Sequence, residues 1–127
     1  MHDKHLYEYA VIRVVPKVER GEFINAGLIL FSKRQKYLRV ETAFDREKLA
    51  AICPDCDFDQ LEENLRMFTE VGRGETKHNP IAAEEPSERF RWLTAEKSSS
   101  IQTSRPHSGF ADDLDETFER LFEELVV

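Results

Sequence analysis

A chain of 127 residues, 40% apolar and 34% charged, has the composition expected of a soluble globular protein that buries one core without disulfide staples, so a single domain over 1–127 is expected. No apolar run approaches the roughly 18 residues of a membrane span, and a net charge of −7 argues against broad nucleic-acid binding, whose affinity rests on neutralising phosphates. The charge is uneven: residues 1–40 carry eight Lys and Arg against four acids, and residues 41–127 carry ten against twenty-one.

Leu6 to Val15 is rich in β-branched and aromatic residues and stops at Pro16, which has no N–H for a ladder. Phe23 to Phe31 reads as a second strand and Tyr37 to Thr42 as a third, joined by the polar connection Ser32 to Lys36. Connections this short make neighbouring strands antiparallel. Lys33, Arg34, Lys36 and Arg39 form a local basic edge, whose plain reading is a solvated turn that keeps a sheet edge soluble. Asp45 is placed to cap a short helix carrying Leu49 and Ile52, which ends at Cys53-Pro54. Asp57 is placed to cap a second helix, with Phe58, Leu61, Leu65 and Phe68 at three- and four-residue spacing and Gly72-Arg73-Gly74 as its stop.

Residues 73–86 read as a surface loop, and a third helix starts at Ser87 with Phe90, Trp92 and Leu93 facing the core. Ser98 to Ser104 reads as a fourth, polar strand and Arg105 to Gly109 as a turn. Asp112, Asp113, Asp115 and Glu116 crowd the start of a last helix, where acids oppose the positive end of the dipole. Leu114, Phe118, Leu121, Phe122 and Leu125 form its apolar stripe, read as core first and as a docking surface second. The pattern predicts an α+β fold: an antiparallel sheet of about four strands, a three-strand meander plus a late strand, with about four helices on one face.

The segment Glu19-Arg-Gly-Glu-Phe-Ile-Asn-Ala-Gly27 carries more charge than a connector needs. Arg13 and Asn25 each interrupt a strand that is otherwise nearly all apolar. A buried unpaired polar group costs roughly 1–3 kcal/mol, so each has a partner or stands where its strand opens to a cleft. Glu19 and Glu22 are near enough in sequence to pair with Arg13 or Arg20, which would make the segment a pinned hairpin with Asn25 satisfying a bulge. Gly27, inside the second strand, supports a bulge. The functional reading makes Arg13, Glu19, Arg20, Glu22 and Asn25 a recognition surface, with His107 closing over the sheet near Asn25. The enzymatic alternative is a small hydrolase or nucleic-acid-processing enzyme, with Glu19 or Glu22 as base and Arg13 or Arg20 steadying an anion.

No catalytic motif is completed elsewhere, and none calls for a cofactor or metal. Cys53-Pro-Asp-Cys56 follows a helix rather than a strand and is flanked by Asp55 and Asp57, which disfavour a thiolate. The expectation is a helix–helix corner with two ordinary cysteines. A zinc site would lack two ligands unless His78 or His107 came near through the fold. His2 and His5 fall in an expected mobile terminus, and Ser104 or Ser108 beside His107 lacks the Gly-x-Ser-x-Gly elbow. No glycine-rich phosphate loop and no secretory h-region is present, so the expected address is cytoplasmic.

Three pieces resemble the bacterial family catalogued as domain of unknown function 3037: Tyr7 to Pro16, Glu19 to Gly27, and Ile101-Gln-Thr-Ser with His107-Ser-Gly109 running into the last helix. The similarity spans nearly the whole chain, and Arg-Gly-Glu…Asn-x-Gly is its most specific part. The resemblance brings no catalytic residues. It implies a protein partner or regulator role, with a HipA-like kinase as the candidate partner, and leaves homo-oligomerisation open. The acidic second half suits a basic partner.

Overall fold

In the computed structural model, which describes residues 4–75, 79–97 and 99–127, five antiparallel strands form one sheet. His2, His78 and Ser98 lie outside the described residues. The strands are β1 (His5–Val14), β2 (Ile24–Ser32), β3 (Tyr37–Thr42), β4 (Ile101–Thr103) and β5 (His107–Ala111). His5 thus belongs to β1 rather than to a loose terminus. The order is β3-β2-β1, with β4 and β5 both on the far edge of β1.

The meander is as expected, and so is the bulge. Ile12 faces Gly27 while Arg13 faces Asn25, leaving Ala26 as the extra residue on β2. A Cβ on Gly27 would lie 2.9 Å from both the Glu41 carbonyl and Ile12 Cδ1, so the bulge needs glycine there. The expected turn at 105–109 is instead an edge strand. β4 pairs with β1 near Ile12 and β5 near Tyr9, with the register displaced by one residue between them. Pro106 occupies that displacement. A proline without an N–H is tolerated at a bulge on an edge strand, so the punctuation that signals a turn marks only an interruption. Ser104 closes the gap: its backbone N–H donates to the Val11 carbonyl, and its buried hydroxyl accepts from the Val11 N–H, both at 2.9 Å. That hydroxyl also donates to the Arg105 carbonyl at 3.1 Å and is therefore structural.

The helices are α1 (Arg46–Ile52), α2 (Phe58–Arg73), α3 (Pro86–Thr94) and α4 (Leu114–Leu125). Asp45, Asp57 and Asp113 cap α1, α2 and α4, each accepting from backbone N–H groups of the first turn. α3 begins one residue earlier than expected, with Pro86 in its first turn, where the missing N–H costs nothing. A short 3-10 turn at Pro80–Ala83 breaks the loop before it. Ile12, Val14, Ile29 and Phe31 pack against α1, α2 and α3, whereas Val11, Leu28 and Leu30 pack against α4. The helices therefore cover both faces of the sheet, where the sequence pattern placed them on one. The α+β class and the antiparallel sheet are as expected.

Cys53 and Cys56, expected to be independent, form a disulfide across the corner between α1 and α2. The reason is local: α1 ends at Cys53, and the turn through Pro54 and Asp55 brings the two Cα atoms to 5.6 Å, inside the span a disulfide bridges.

Candidate functional site

The connection from β1 to β2 projects from one end of the sheet. Val18–Arg20 make a single 3-10 turn, which closes on Gly21 in the left-handed region at φ 72°. Glycine enters that region at the least steric cost, and the reversal points the next side chain back along the turn. Arg20 Nε donates to Glu22 Oε1 at 2.5 Å, with side chains 61% and 41% exposed. That hydrogen bond holds the Glu22 carboxyl below its ordinary range, outweighing the opposing desolvation, and raises the Arg20 guanidinium above its own. Glu19 is exposed and adds to the negative field around Arg20. Two large apolar side chains, Val18 at 44% and Phe23 at 43%, stand exposed on the same turn. Lys17 reaches Asp55 at 3.7 Å and leans the turn toward the disulfide corner.

Arg13 and Asn25 sit opposite each other at the base of this turn. Arg13 lays its guanidinium over the Phe23 ring, 4.3 Å from the centroid, and its buried Nε has no hydrogen-bond partner among the described residues. Asn25 Nδ2 donates to the Leu125 carbonyl at 3.0 Å, satisfying one of the free carbonyls at the end of α4. His107 is exposed on β5, opposite Tyr9, with ring centroids 5.3 Å apart. Tyr9 is four positions along β1 from Arg13, roughly 13 Å at strand rise, and Asn25 lies on the other flank of β1. The structure therefore brings Arg20 to Glu22 and Arg13 to Phe23 and Asn25, and leaves His107 apart.

Two features escaped the sequence pattern. Arg39, grouped there with a solvated basic edge, turns under α4. It donates to Asp115 Oδ1 at 3.3 Å and Glu119 Oε1 at 2.5 Å, and its guanidinium lies 4.2 Å from the centroid of the Phe118 ring. Tyr37 joins by donating to Asp115 Oδ1 at 2.6 Å. The acids of α4 were legible as helix-start residues, but a partner some eighty positions away has no local signal. The second feature is a cross-strand pair, Leu6 and Phe110, both exposed and bordered by Lys4, Lys33 and Arg34.

Burial, and then the hydrogen bond to Asp115, push the Tyr37 phenol from its ordinary 10.0 to about 12. A raised phenol favours the protonated form in the fold. Its contribution is complete below pH 10 and is lost as pH climbs toward the folded value. Wild type is thus expected to lose melting temperature between pH 10 and about 12 more steeply than Tyr37→Phe, which starts lower at pH 7. Parallel alkaline melting curves for the two proteins would remove Tyr37 from this role.

A five-stranded antiparallel sheet between a three-helix layer and a single helix, carrying a projecting charged and apolar turn, defines an α+β protein. Among the described residues no group of three or more His, Cys, Asp or Glu could hold a metal ion, and no helix is long and apolar enough to cross a membrane. The chain belongs to the family described as protein of unknown function (DUF3037), whose model matches residues 9–126. No curated protein and no solved structure matches it.

Proposed function

We propose that this chain is a bacterial cytoplasmic protein-interaction module that regulates or supports a partner encoded nearby. A HipA-like kinase is the candidate partner suggested by the family resemblance. The observation that carries the reading is the β1–β2 turn. Val18 and Phe23 each leave more than two-fifths of their surface exposed beside an ion pair whose two members bond each other. Exposed apolar groups within a charged surround are the composition of a recognition patch, and Arg13 and Asn25 anchor its base. A hydrolase using Glu22 as base has less support, because the Arg20 hydrogen bond lowers the carboxyl's affinity for a proton, whereas a base working near neutrality needs it raised.

The test is capture of the tagged protein from its native cell, wild type beside the Arg20→Ala/Glu22→Ala double variant. Both side chains are exposed and, among the described residues, hydrogen-bond only each other, so the double variant is expected to melt within about 2 °C of wild type and to lose a stoichiometric partner. A drop of several degrees would make the pair structural and defeat the assignment. Equal capture by both proteins would move the recognition face elsewhere.

A further inference from the structure

Arg13 borders a second feature. Where β4 runs beside the chain leaving α3, a depression of about 360 Å³ is bordered by Arg13, Glu96, Lys97, Gln102, Thr103 and Arg105. Three cations there face one acid, in a chain whose net charge is −7. Neither arginine has an ion pair among the described residues, and Arg13 Nε is buried without an acceptor. Lys97 adds charge but few free donors: its ammonium caps α3, donating to the Trp92, Leu93 and Ala95 carbonyls at 2.5, 3.1 and 3.1 Å. Two arginines without an ion pair among the described residues thus border one polar hollow. Such an arrangement is stabilised by an acceptor-rich anion brought from outside.

We infer that this depression is a binding site for a phosphate monoester or inorganic phosphate, held between Arg13 and Arg105. A dianion matches the local excess of two positive charges, and the planar fork of arginine suits tetrahedral oxyanions. The sequence posed two fates for an arginine interrupting an apolar strand, a partner in the fold or an opening to a cleft, and Arg13 shows both: its guanidinium lies over Phe23, and its strand position borders the hollow. The inference goes beyond the interaction reading, shares only Arg13 with it, and stands if the turn binds nothing.

The experiment follows the Arg13 Nε–H resonance while inorganic phosphate, a short phosphoserine peptide and acetate are titrated separately into the full chain and into Arg105→Ala. Arg105 is exposed and takes part in the fold through its backbone, so its truncation leaves the protein folded. The expected result is a saturable shift with phosphate or the phosphopeptide, weakened by about tenfold in Arg105→Ala. Tighter binding of the peptide makes a phosphorylated chain the source, and equal or tighter binding of inorganic phosphate makes it the free anion. The site is overturned by no saturable shift with either, by an unchanged affinity in Arg105→Ala, or by acetate binding as tightly as phosphate.

Discussion

Replacing Phe118 with alanine lowers the unfolding free energy by about 3–5 kcal/mol, the cost of deleting a buried aromatic ring and leaving its cavity. Phe118 is 1% exposed and stands in the middle of what is, among the described residues, the single helical layer on its face of the sheet, beside Tyr7, Val11, Leu28 and Leu30. The α4 helix has no helical neighbour there to close the gap, so relaxation can come only from the helix sinking onto β1 and β2. That movement is resisted by Tyr37 and Arg39, which hold Asp115 and Glu119 at fixed height. Losing the ring also removes the surface beneath the Arg39 guanidinium, 4.2 Å from the ring centroid. Urea denaturation of Phe118→Ala and Phe118→Leu checks the expectation, with leucine losing less because it refills most of the space. A loss under about 1 kcal/mol in the alanine variant would mean that α4 is an accessory to the fold and not one of its layers.

The same variant bears on the proposed recognition face through Asn25. Its side chain ties the end of α4 to the base of the projecting turn, across 100 positions of sequence. The pose of Phe23 and of the Arg20–Glu22 pair therefore depends on α4 lying where it does. A variant that loosens α4 without unfolding the sheet is expected to weaken partner capture although it touches no residue of the turn. Recognition in this protein would then belong to the turn and to the helix beneath it.

What the sequence could say about this arrangement divides by range. The β1–β2–β3 meander, the aspartate caps at 45 and 57 and the stripe of α4 were legible because their signals are local: alternation, short connections, a capping side chain two or three residues from its N–H. β5 was misread for an equally local reason, since Pro106 and Gly109 punctuate an edge strand as strongly as they punctuate a turn. Gly109 is there because a Cβ would lie 2.5 Å from the Tyr7 hydroxyl, a close approach that no local pattern states. The placement of α4 had an unused signal. Ala26 to Phe31 is apolar at every position, the mark of a strand buried on both faces, and that calls for helices on both sides. The partners of Asn25 and Arg39 had no such signal, because the contacts exist only once the sheet and α4 have met. Arg13 was conspicuous as an exception in an apolar run, and the structure answers that exception with the Phe23 ring beneath its guanidinium.

Gly72→Ala is expected to destabilise the protein by about 1–3 kcal/mol, although alanine in a helix interior is intrinsically better than glycine by about 1 kcal/mol. Gly72 is the point where α2 rests on β3: an added Cβ would stand 2.3 Å from Val40 Cγ2 and 2.9 Å from Val40 Cβ. Val40 is 2% exposed and branched at Cβ, so its rotamer has little freedom to yield. The helix cannot easily back away either. Arg73 holds it to β3 through the Val40 carbonyl at 3.4 Å and the Glu41 carboxylate at 3.1 Å, and Arg89 holds the Val71 and Gly72 carbonyls at 3.3 and 2.9 Å from the other side. Steric overlap between fixed elements outweighs helix propensity. Val40→Ala removes the methyl group that stands 2.3 Å from the new Cβ and leaves only the Cβ–Cβ approach at 2.9 Å, so a double-mutant cycle separates the larger part of the clash from the helix term. Gly72→Ala/Val40→Ala is expected to be more stable than the sum of the single losses by at least about 1 kcal/mol. If Gly72→Ala alone raises the stability, α2 and β3 are farther apart than the structure places them. If the cycle is additive, the loss arises from the backbone of α2 and not from its contact with Val40.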